Sequence, residues 1–455
     1  METLFNRKNL KSIINKILIS LSVIFTSFTF FFQVTFNSEL WALVPYILLM
    51  LLVFLNIGNV IEYFFLNLYP KQKYIDFFIG IFWIIIIIKI IVTFLEYREV
   101  GEIFRYLFLY AAPVLFYFFV VSIKKIELIT VLLKMIVICG MIISTQFVYE
   151  SYNKSVNDKL TNFSEKAFYY SMKRMKTEDI GNANQARLST GSRAQGILSK
   201  HSMTSAYIII CFYTLLSLIR EYKKKIKFFI WSLGFSVLVL GMNTTSIVVY
   251  MIVGLWFYKD IFKISKVRKD IFVKQYLFHS LLIMFLLLSV FTVFFFEFIS
   301  LLIYRAFNML VNQLLFVFTS SKDSYTVGII FEEILHFLDL CLEYPYLLVF
   351  GDLFKKPIYA IGGDVGFLDS ITLIGFPLYL SIFTGFILFG MKLRLIKDIV
   401  INDDTWKQLE LSYVSIMVFF LMDIHYSIWY DKSLIIIFFI LWGIFRRNLY
   451  LLRFK

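Results

Sequence analysis

Apolar runs of about 20 residues recur along this chain, and they restrict its fold more than any other feature. Residues 75–95 and 275–296 are two examples. A run of this length is what an α-helix needs to cross the hydrocarbon core of a bilayer. Only 17% of the residues are charged, whereas an average soluble domain has about a quarter. The sequence therefore predicts an all-α, polytopic integral membrane protein in which residues 1–455 form one membrane domain.

Twelve transmembrane helices are predicted, each placed to within a few residues. They lie near residues 13–32, 40–61, 75–95, 103–123, 128–148, 201–219, 228–240, 244–257, 276–298, 365–390, 411–424 and 433–445. The series is interrupted by a long polar segment at residues 149–200 and by a second long segment at residues 300–364. We expect these segments to form two large loops on one side of the membrane.

Positive charge is concentrated in the short connections between the apolar runs. The basic connections are residues 124–125, 220–227, 259–274 and 392–397 and the tail 446–455. If the chain crosses the membrane twelve times in alternating directions, all of these connections fall on the same side. Lys and Arg are enriched on the cytoplasmic side of membrane proteins. The net charge of +14 therefore indicates membrane orientation, and no nucleic-acid-binding motif accompanies it. Both termini are predicted to be cytoplasmic, with both long loops on the outer face.

The two long loops differ in the sign of their charge. Residues 149–201 hold nine Lys and Arg against five acids, a balance of +4. Residues 300–364 hold four against seven, a balance of −3. Either a basic and an acidic surface divide one site between a diphosphate and a sugar, or two solvated loops differ by chance.

The first loop ends in a basic approach to the sixth predicted span. Arg193, Lys200 and His201 stand within nine residues of one another at the start of that helix. Helix N-termini and arginine side chains both favour phosphate oxygens, so this stretch is a candidate diphosphate site. The alternative is that Ser199 or Ser202 caps the helix and Lys200 lies at the lipid headgroups.

The second loop contains a segment with helical spacing, at residues 331–350. Glu332, His336, Asp339 and Glu343 share one helix face, beside an apolar stripe formed by Phe331, Leu335, Leu338 and Leu342. The helix is predicted to lie along the outer interface. Its polar face either lines a cavity that binds the glycan or simply faces the headgroups.

A glycine-rich stretch at residues 351–380 leads from the second loop into the tenth span. Gly362 and Gly363 permit a sharp turn before Asp364. Asp364 either caps the helix or supplies a carboxylate that accepts a proton from a sugar hydroxyl. No His and Asp cluster has the spacing of a metal site, and the three cysteines suggest no disulfide framework. We expect no metal and no cofactor.

Two lysines interrupt apolar runs. Lys89 lies in the third predicted span and Lys134 in the fifth. Each either faces a cavity or extends its amine to the nearer membrane surface.

Three motifs resemble landmarks of the O-antigen and capsular polysaccharide polymerase (Wzy) family, which is related to the O-antigen ligases. RAQGILSKHS at 193–202 resembles the Arg-x-x-Gly segment of that family. LGMNTTS at 240–246 and GGDVGFLDSITLIGFP at 362–377 are similar to later landmarks, and the two large outer loops match its layout.

The resemblance implies a GT-C-like membrane glycosyltransferase that moves a glycan from undecaprenyl diphosphate to a sugar hydroxyl. Arg193, Lys200, Arg187 and Arg305 would bind the diphosphate, and Asp364 or His201 would accept the proton. Glu332, His336 and Asp339 are candidates for glycan binding. The implied partners are lipid-linked oligosaccharides, the bilayer and a chain-length regulator, in lipopolysaccharide or capsule biosynthesis.

Two departures from the family pattern bear on function. Ligases usually present a histidine before the tenth span, where this chain has Asp364, and this favours a polymerase over a ligase. The family often has an arginine in the tight helix pair, which Thr245 and Ser246 lack. A lipid-linked oligosaccharide flippase is the competing class, although a flippase does not need two outer loops of more than about 50 residues.

Overall fold

The structure is a computed structural model, and its elements of regular structure are helices throughout the part of the chain that it describes. It describes residues 2–66, 84–97, 112–157, 201–219, 222–241, 243–257, 325–351, 366–396, 403–424 and 432–452, with residues 103, 107, 163, 166, 167, 196, 198 and 426. The all-α prediction is confirmed for these residues. The predicted ninth span lies outside them.

Residues 2–257 contribute ten helices to the described residues. These are α1 (Glu2–Ser27), α2 (Thr29–Thr35), α3 (Val44–Leu55), α4 (Ile57–Leu66), α5 (Ile84–Leu95), α6 (Ala112–Ser122), α7 (Ile126–Asn157), α8 (His201–Leu218), α9 (Lys224–Leu240) and α10 (Thr244–Phe257). A short 3-10 helix, Glu39–Leu43, precedes α3. The predicted first and second spans are thus interrupted near Phe28 and Asn56.

Residues 325–452 contribute six helices to the described residues. These are α11 (Tyr325–Glu343), α12 (Tyr346–Phe350), α13 (Gly366–Ile374), α14 (Phe376–Ile396), α15 (Asp403–Asp423) and α16 (Lys432–Leu452). α11 and α12 replace the single helix predicted at residues 331–350, because Pro345 separates them.

Two helices in the described part of the chain are long and apolar enough to cross a membrane, or three if a bent pair counts as one span. Among the described residues, Leu10–Ser27 and Ile126–Asn153 pass this test as single helices, and the bent pair α13 and α14 adds a third candidate. Five shorter apolar helices accompany them. Large apolar side chains such as Ile138, Ile142 and Ile252 are about half exposed on the outward sides of their helices, as contact with lipid requires. Twelve spans and a GT-C fold stay predictions.

Two helices form the centre of the structure. α8 and α16 have apolar residues around their whole circumference, and nearly all of their side chains are buried. α8 packs against α7, α9, α10 and α15, while α16 packs between α6 and α15. α8, α9 and α10, which carry two of the three motifs, are therefore neighbours in the fold, and α15 packs against both α8 and the helices α13 and α14 that carry the third.

The basic end of the bundle is defined here by Lys16, Glu127, Gln408, Arg447 and Asn448. Arg447 donates hydrogen bonds to the carbonyl oxygens of Ile123, at 2.6 Å, and Lys124, at 3.2 Å. It thereby binds two carbonyl groups that follow α6. Burial lowers the pKa of Arg447 to about 10, so the guanidinium stays charged at neutral pH. The connection at 124–125 and the tail at 446–455, predicted to share one side, are in contact.

The two intramembrane lysines have different environments. Lys89 is buried, with 2% of its surface exposed, so its side chain is directed into the protein. Lys134 is exposed on the outward side of α7, where its amine can extend toward the membrane surface.

Candidate functional site

The polar end of the bundle lies opposite the basic end. We define it by Glu150 on α7, the first turns of α8, the α9–α10 turn, the bend between α13 and α14, and the end of α15. α7 has 32 residues, about 48 Å of helix, against a bilayer core of about 30 Å. Its last turns therefore extend beyond the predicted span, which ended at Val148. Glu150 lies just beyond that point but is buried in the protein, with 3% exposed.

Glu150 fixes the glycine of the RAQG segment. Its Oε2 accepts a hydrogen bond from the Gly196 backbone N–H at 2.8 Å, and its Oε1 accepts one from the Gln146 amide. Gly196 has a φ of +73°, a conformation that favours glycine. A Cβ at Gly196 would overlap the Thr204 side chain in the first turn of α8. Gly196 is thus held against both α7 and α8.

The α9–α10 turn joins the same end of α8. Asn243 donates from Nδ2 to Ser205 Oγ at 3.4 Å. Its Oδ1 accepts from the Ser246 N–H at 3.1 Å, which caps α10, and from the Tyr426 hydroxyl at 3.3 Å. Asn243, Ser205 and Ser246 are all buried, so this contact is a polar junction between three parts of the chain.

The predicted tenth span is two helices rather than one. The chain bends by 113° between the axes of α13 and α14. Gly375 stands at the break with a φ of +83°, and Pro377, in the first turn of α14, has no N–H to continue a helix through the bend. α13 is buried along most of its length, including Asp369 and Ser370.

Asp423, at the end of α15, joins the two sides of this bend. Its Oδ2 accepts hydrogen bonds from Ser370 Oγ on α13 at 2.6 Å and from Tyr379 Oη on α14 at 3.2 Å. At the start of α13, Gly366 lies so close to the backbone of Asp423 and Tyr426 that a Cβ would overlap it. One fully buried carboxylate therefore fixes the geometry of the broken helix.

A continuous series of contacts runs across the polar end. It begins at Glu150 and Gly196, passes through Thr204 and its neighbour Ser205 to Asn243 and Tyr426, and ends at Gly366, Asp423, Ser370 and Tyr379. Gly196, Asn243 and Gly366 belong to the three motifs quoted above. Residues 193–202, 240–246 and 362–377, distant in the sequence, thus contribute to one polar region.

Most of the predicted catalytic and phosphate-binding residues fall outside the described residues. These are Arg187, Arg193, Lys200, Arg305 and Asp364. His201 is the first residue of α8, as predicted, although only its backbone is described. Their roles stay predictions.

The glycan-binding candidates lie on α11. Ile334, Phe337 and Cys341 pack this helix against Leu368 and Ile371 of α13. His336 and Asp339 are exposed on the opposite side, since successive residues are about 100° apart around a helix. Glu332 belongs to α11 through its backbone. The described residues do not enclose this polar face.

The predicted apolar stripe of α11 is not the surface that contacts the protein. Leu335 and Leu338 are about half exposed and Leu342 is 80% exposed. This stripe lies between the buried side and the polar side of the helix. An exposed apolar stripe beside a polar face is typical of a helix at a membrane interface.

Sequence reasoning missed Glu150 and Asp423 as members of the site. Glu150 continues the buried side of α7, which includes Ile136, Ile143 and Phe147, so helical periodicity extended past Val148 would have predicted its burial. Asp423 was placed inside the eleventh span at 411–424 without a role. Its partners come from two other helices, which no local pattern indicates.

Among the described residues, no three His, Cys, Asp or Glu side chains are grouped as metal ligands. Comparison with protein-family models, with characterised proteins and with solved structures finds no match to this chain. Function is therefore argued from the motifs and from the geometry of the polar end.

Proposed function

We propose that this protein is an oligosaccharide repeat-unit polymerase of the bacterial cytoplasmic membrane, with its active site on the outer face. It transfers a glycan from undecaprenyl diphosphate to the terminal sugar hydroxyl of another lipid-linked repeat unit. The observation that carries the proposal is the convergence of Gly196, Asn243 and Gly366 on one polar region. Each belongs to a motif that resembles the polymerase family, and chance motifs have no reason to meet.

In this reaction the protein's main tasks are to position the two substrates and to stabilise the charge that develops on the leaving group. The bond between the anomeric carbon and the diphosphate oxygen breaks, and a bond from that carbon to the acceptor oxygen forms. The acceptor proton passes to Asp364 or His201, and undecaprenyl diphosphate departs. Arg193 and Lys200, with Arg187 and Arg305, neutralise the charge on the leaving group. No metal or cofactor takes part in this scheme.

The extended α7 supports an outer location for the site. Glu150 and Gly196 lie where α7 passes beyond the predicted span, at the end opposite Arg447 and Lys16. The basic end faces the cytoplasm in this proposal, with both termini, because Lys and Arg mark that side. The hydroxyl acceptor and the diphosphate then meet at the outer boundary of the bilayer.

A flippase for the same lipid-linked oligosaccharide is the second candidate. The broken helix of α13 and α14, with the buried Asp423 at its bend, favours it, because transporters often build their sites from discontinuous helices. An O-antigen ligase shares the polymerase's donor chemistry but differs in the acceptor, and Asp364 in place of a histidine weighs against it.

Deletion of the gene distinguishes these functions through the surface polysaccharide. Loss of a polymerase leaves single repeat units attached to the lipid core or to the carrier on the outer face. Loss of a flippase leaves lipid-linked units facing the cytoplasm, and loss of a ligase leaves long polymer on the carrier. Long, normally attached polysaccharide in the deletion strain would contradict all three.

A further inference from the structure

We infer that Glu150 is a positioning residue for the RAQG segment, an inference that rests on the polymerase function proposed above. Glu150 does not belong to any of the three motifs, and it lies 43 residues before Arg193 in the sequence. Its carboxylate nevertheless holds the backbone three residues beyond that arginine, through the Gly196 N–H at 2.8 Å.

The geometry around Glu150 restricts both ends of this contact. Gln146, one turn earlier on α7, donates its amide to Oε1, so the carboxylate is held in one orientation. Gly196 fits tightly against Thr204, so its backbone cannot approach α8 more closely. The N–H of Gly196 is therefore confined between a buried acceptor on α7 and the first turn of α8.

A buried carboxylate is a poor choice for binding a diphosphate directly, because like charges repel. It suits the task of orienting the segment that carries the cations. In a reaction dominated by positioning, a displacement of about 1 Å costs about 100-fold in rate. Glu150 thus acts through Arg193 rather than on the substrate.

Three variants separate hydrogen bonding from charge. Glu150→Ala removes the acceptor. Glu150→Gln keeps an amide oxygen for the Gly196 N–H, and its NH2 group can donate to Gln146 Oε1 once the Gln146 amide, which now presents its own NH2, turns over. Glu127→Ala is the matched control, because Glu127 is the acid at the other end of α7, exposed and paired with Lys16 at 3.4 Å.

The first measurement is independent of the proposed reaction. Hydrogen–deuterium exchange of the full-length protein in detergent reports on the Gly196 amide. We expect exchange at least about 10-fold faster in Glu150→Ala and near the wild-type rate in Glu150→Gln and Glu127→Ala, because a hydrogen bond to a buried acceptor protects an amide. Equal exchange in wild type and Glu150→Ala would overturn the inference.

The second measurement is the polymerisation rate in proteoliposomes, with undecaprenyl-diphosphate-linked repeat units from a strain lacking the gene. Glu150→Ala should lower kcat about 10- to 100-fold. Glu150→Gln should have a kcat within about threefold of the wild-type value and an unchanged pH dependence of kcat. An inactive but folded Glu150→Gln with a protected Gly196 amide would overturn the positioning role, because charge or proton transfer would then be essential. If the wild-type protein forms no polymer, the proposed function fails, and the exchange data still decide whether Glu150 holds the segment.

Discussion

The two ends of the helix bundle use polar side chains in different ways. At the basic end, Arg447 binds carbonyl groups that follow a helix and Lys16 pairs with an exposed Glu127. The first contact is buried and joins residues 324 positions apart, and the second lies on the surface. At the polar end, Glu150 and Asp423 are buried carboxylates that connect segments far apart in the sequence. Buried polar groups are costly unless they are hydrogen-bonded, and the two ends meet this requirement with opposite charges, a buried cation at the basic end and buried carboxylates at the polar end.

The strongest test of this contrast is Arg193→Ala. We expect chain growth to fall at least about 100-fold at unchanged protein level, since removing a group that stabilises transition-state charge has this effect. The measurement is the length distribution of the surface polysaccharide, with a membrane blot for protein. Lys224→Ala removes an exposed cation at the predicted inner surface and should leave the polymer unchanged. Normal polymer lengths in Arg193→Ala would remove this residue from the site.

Asp423→Ala should reduce both stability and activity. Two hydroxyl groups lose a charged acceptor, which costs about 3 kcal/mol in the free energy of unfolding, and the bend between α13 and α14 loses its link. Asp423→Asn keeps an acceptor oxygen, and its loss in the free energy of unfolding should be about half as large. Thermal unfolding in detergent measures the first effect and polymerisation in proteoliposomes the second. If adding Ser370→Ala and Tyr379→Phe to Asp423→Ala causes no further loss of stability, the three side chains act as one unit.

Arg447→Met should reduce stability without reducing activity per folded molecule. The carbonyl oxygens of Ile123 and Lys124 lose a charged donor, which costs about 2 kcal/mol. Arg447→Lys should recover part of the loss, because an ammonium lacks the planar fork that reaches both carbonyls. Unfolding midpoints and activity normalised to folded protein provide the comparison. A large loss of normalised activity would mean that the basic end also shapes the proposed site.

Gly375→Ala should have the smallest effect, a destabilisation of about 1–2 kcal/mol, because an L-residue is strained at a φ of +83°. Gly58→Ala is the matched control, since a Cβ there meets nothing within 4 Å and alanine favours a helix. The two unfolding midpoints should move in opposite directions. Equal midpoints would show that the bend tolerates a side chain and that Asp423 alone maintains it.

Local patterns in the sequence predicted the ends of several helices. α8 and α10 begin where predicted and α9 ends where predicted, because apolar runs bounded by polar residues define such helices. The bend at Gly375 was missed although Gly375 and Pro377 stand in the sequence. An apolar run of this length predicts a straight span, whereas Gly375, Pro377 and the contacts of α13 and α14 with Asp423 accompany the break in the structure.

The candidate site was predictable only in part. The motifs containing Gly196, Asn243 and Gly366 were visible in the sequence, and their residue types suggested turns and helix starts. Glu150 and Asp423 were not assigned a role, because the hydrogen bonds that give them one connect residues 46 and 53 positions apart. Long-range partners depend on how helices pack, and a single sequence carries little information about that.

The sequence by itself determined that the chain forms apolar helices with basic connections, because periodicity and charge act locally. The tertiary structure decided which of its polar groups meet. A buried carboxylate needs a hydrogen-bond donor from another part of the chain. Packing places the Gly196 N–H against Glu150, and it places the hydroxyl groups of Ser370 and Tyr379 against Asp423. These pairings turn separate motifs into one polar region at one end of the bundle.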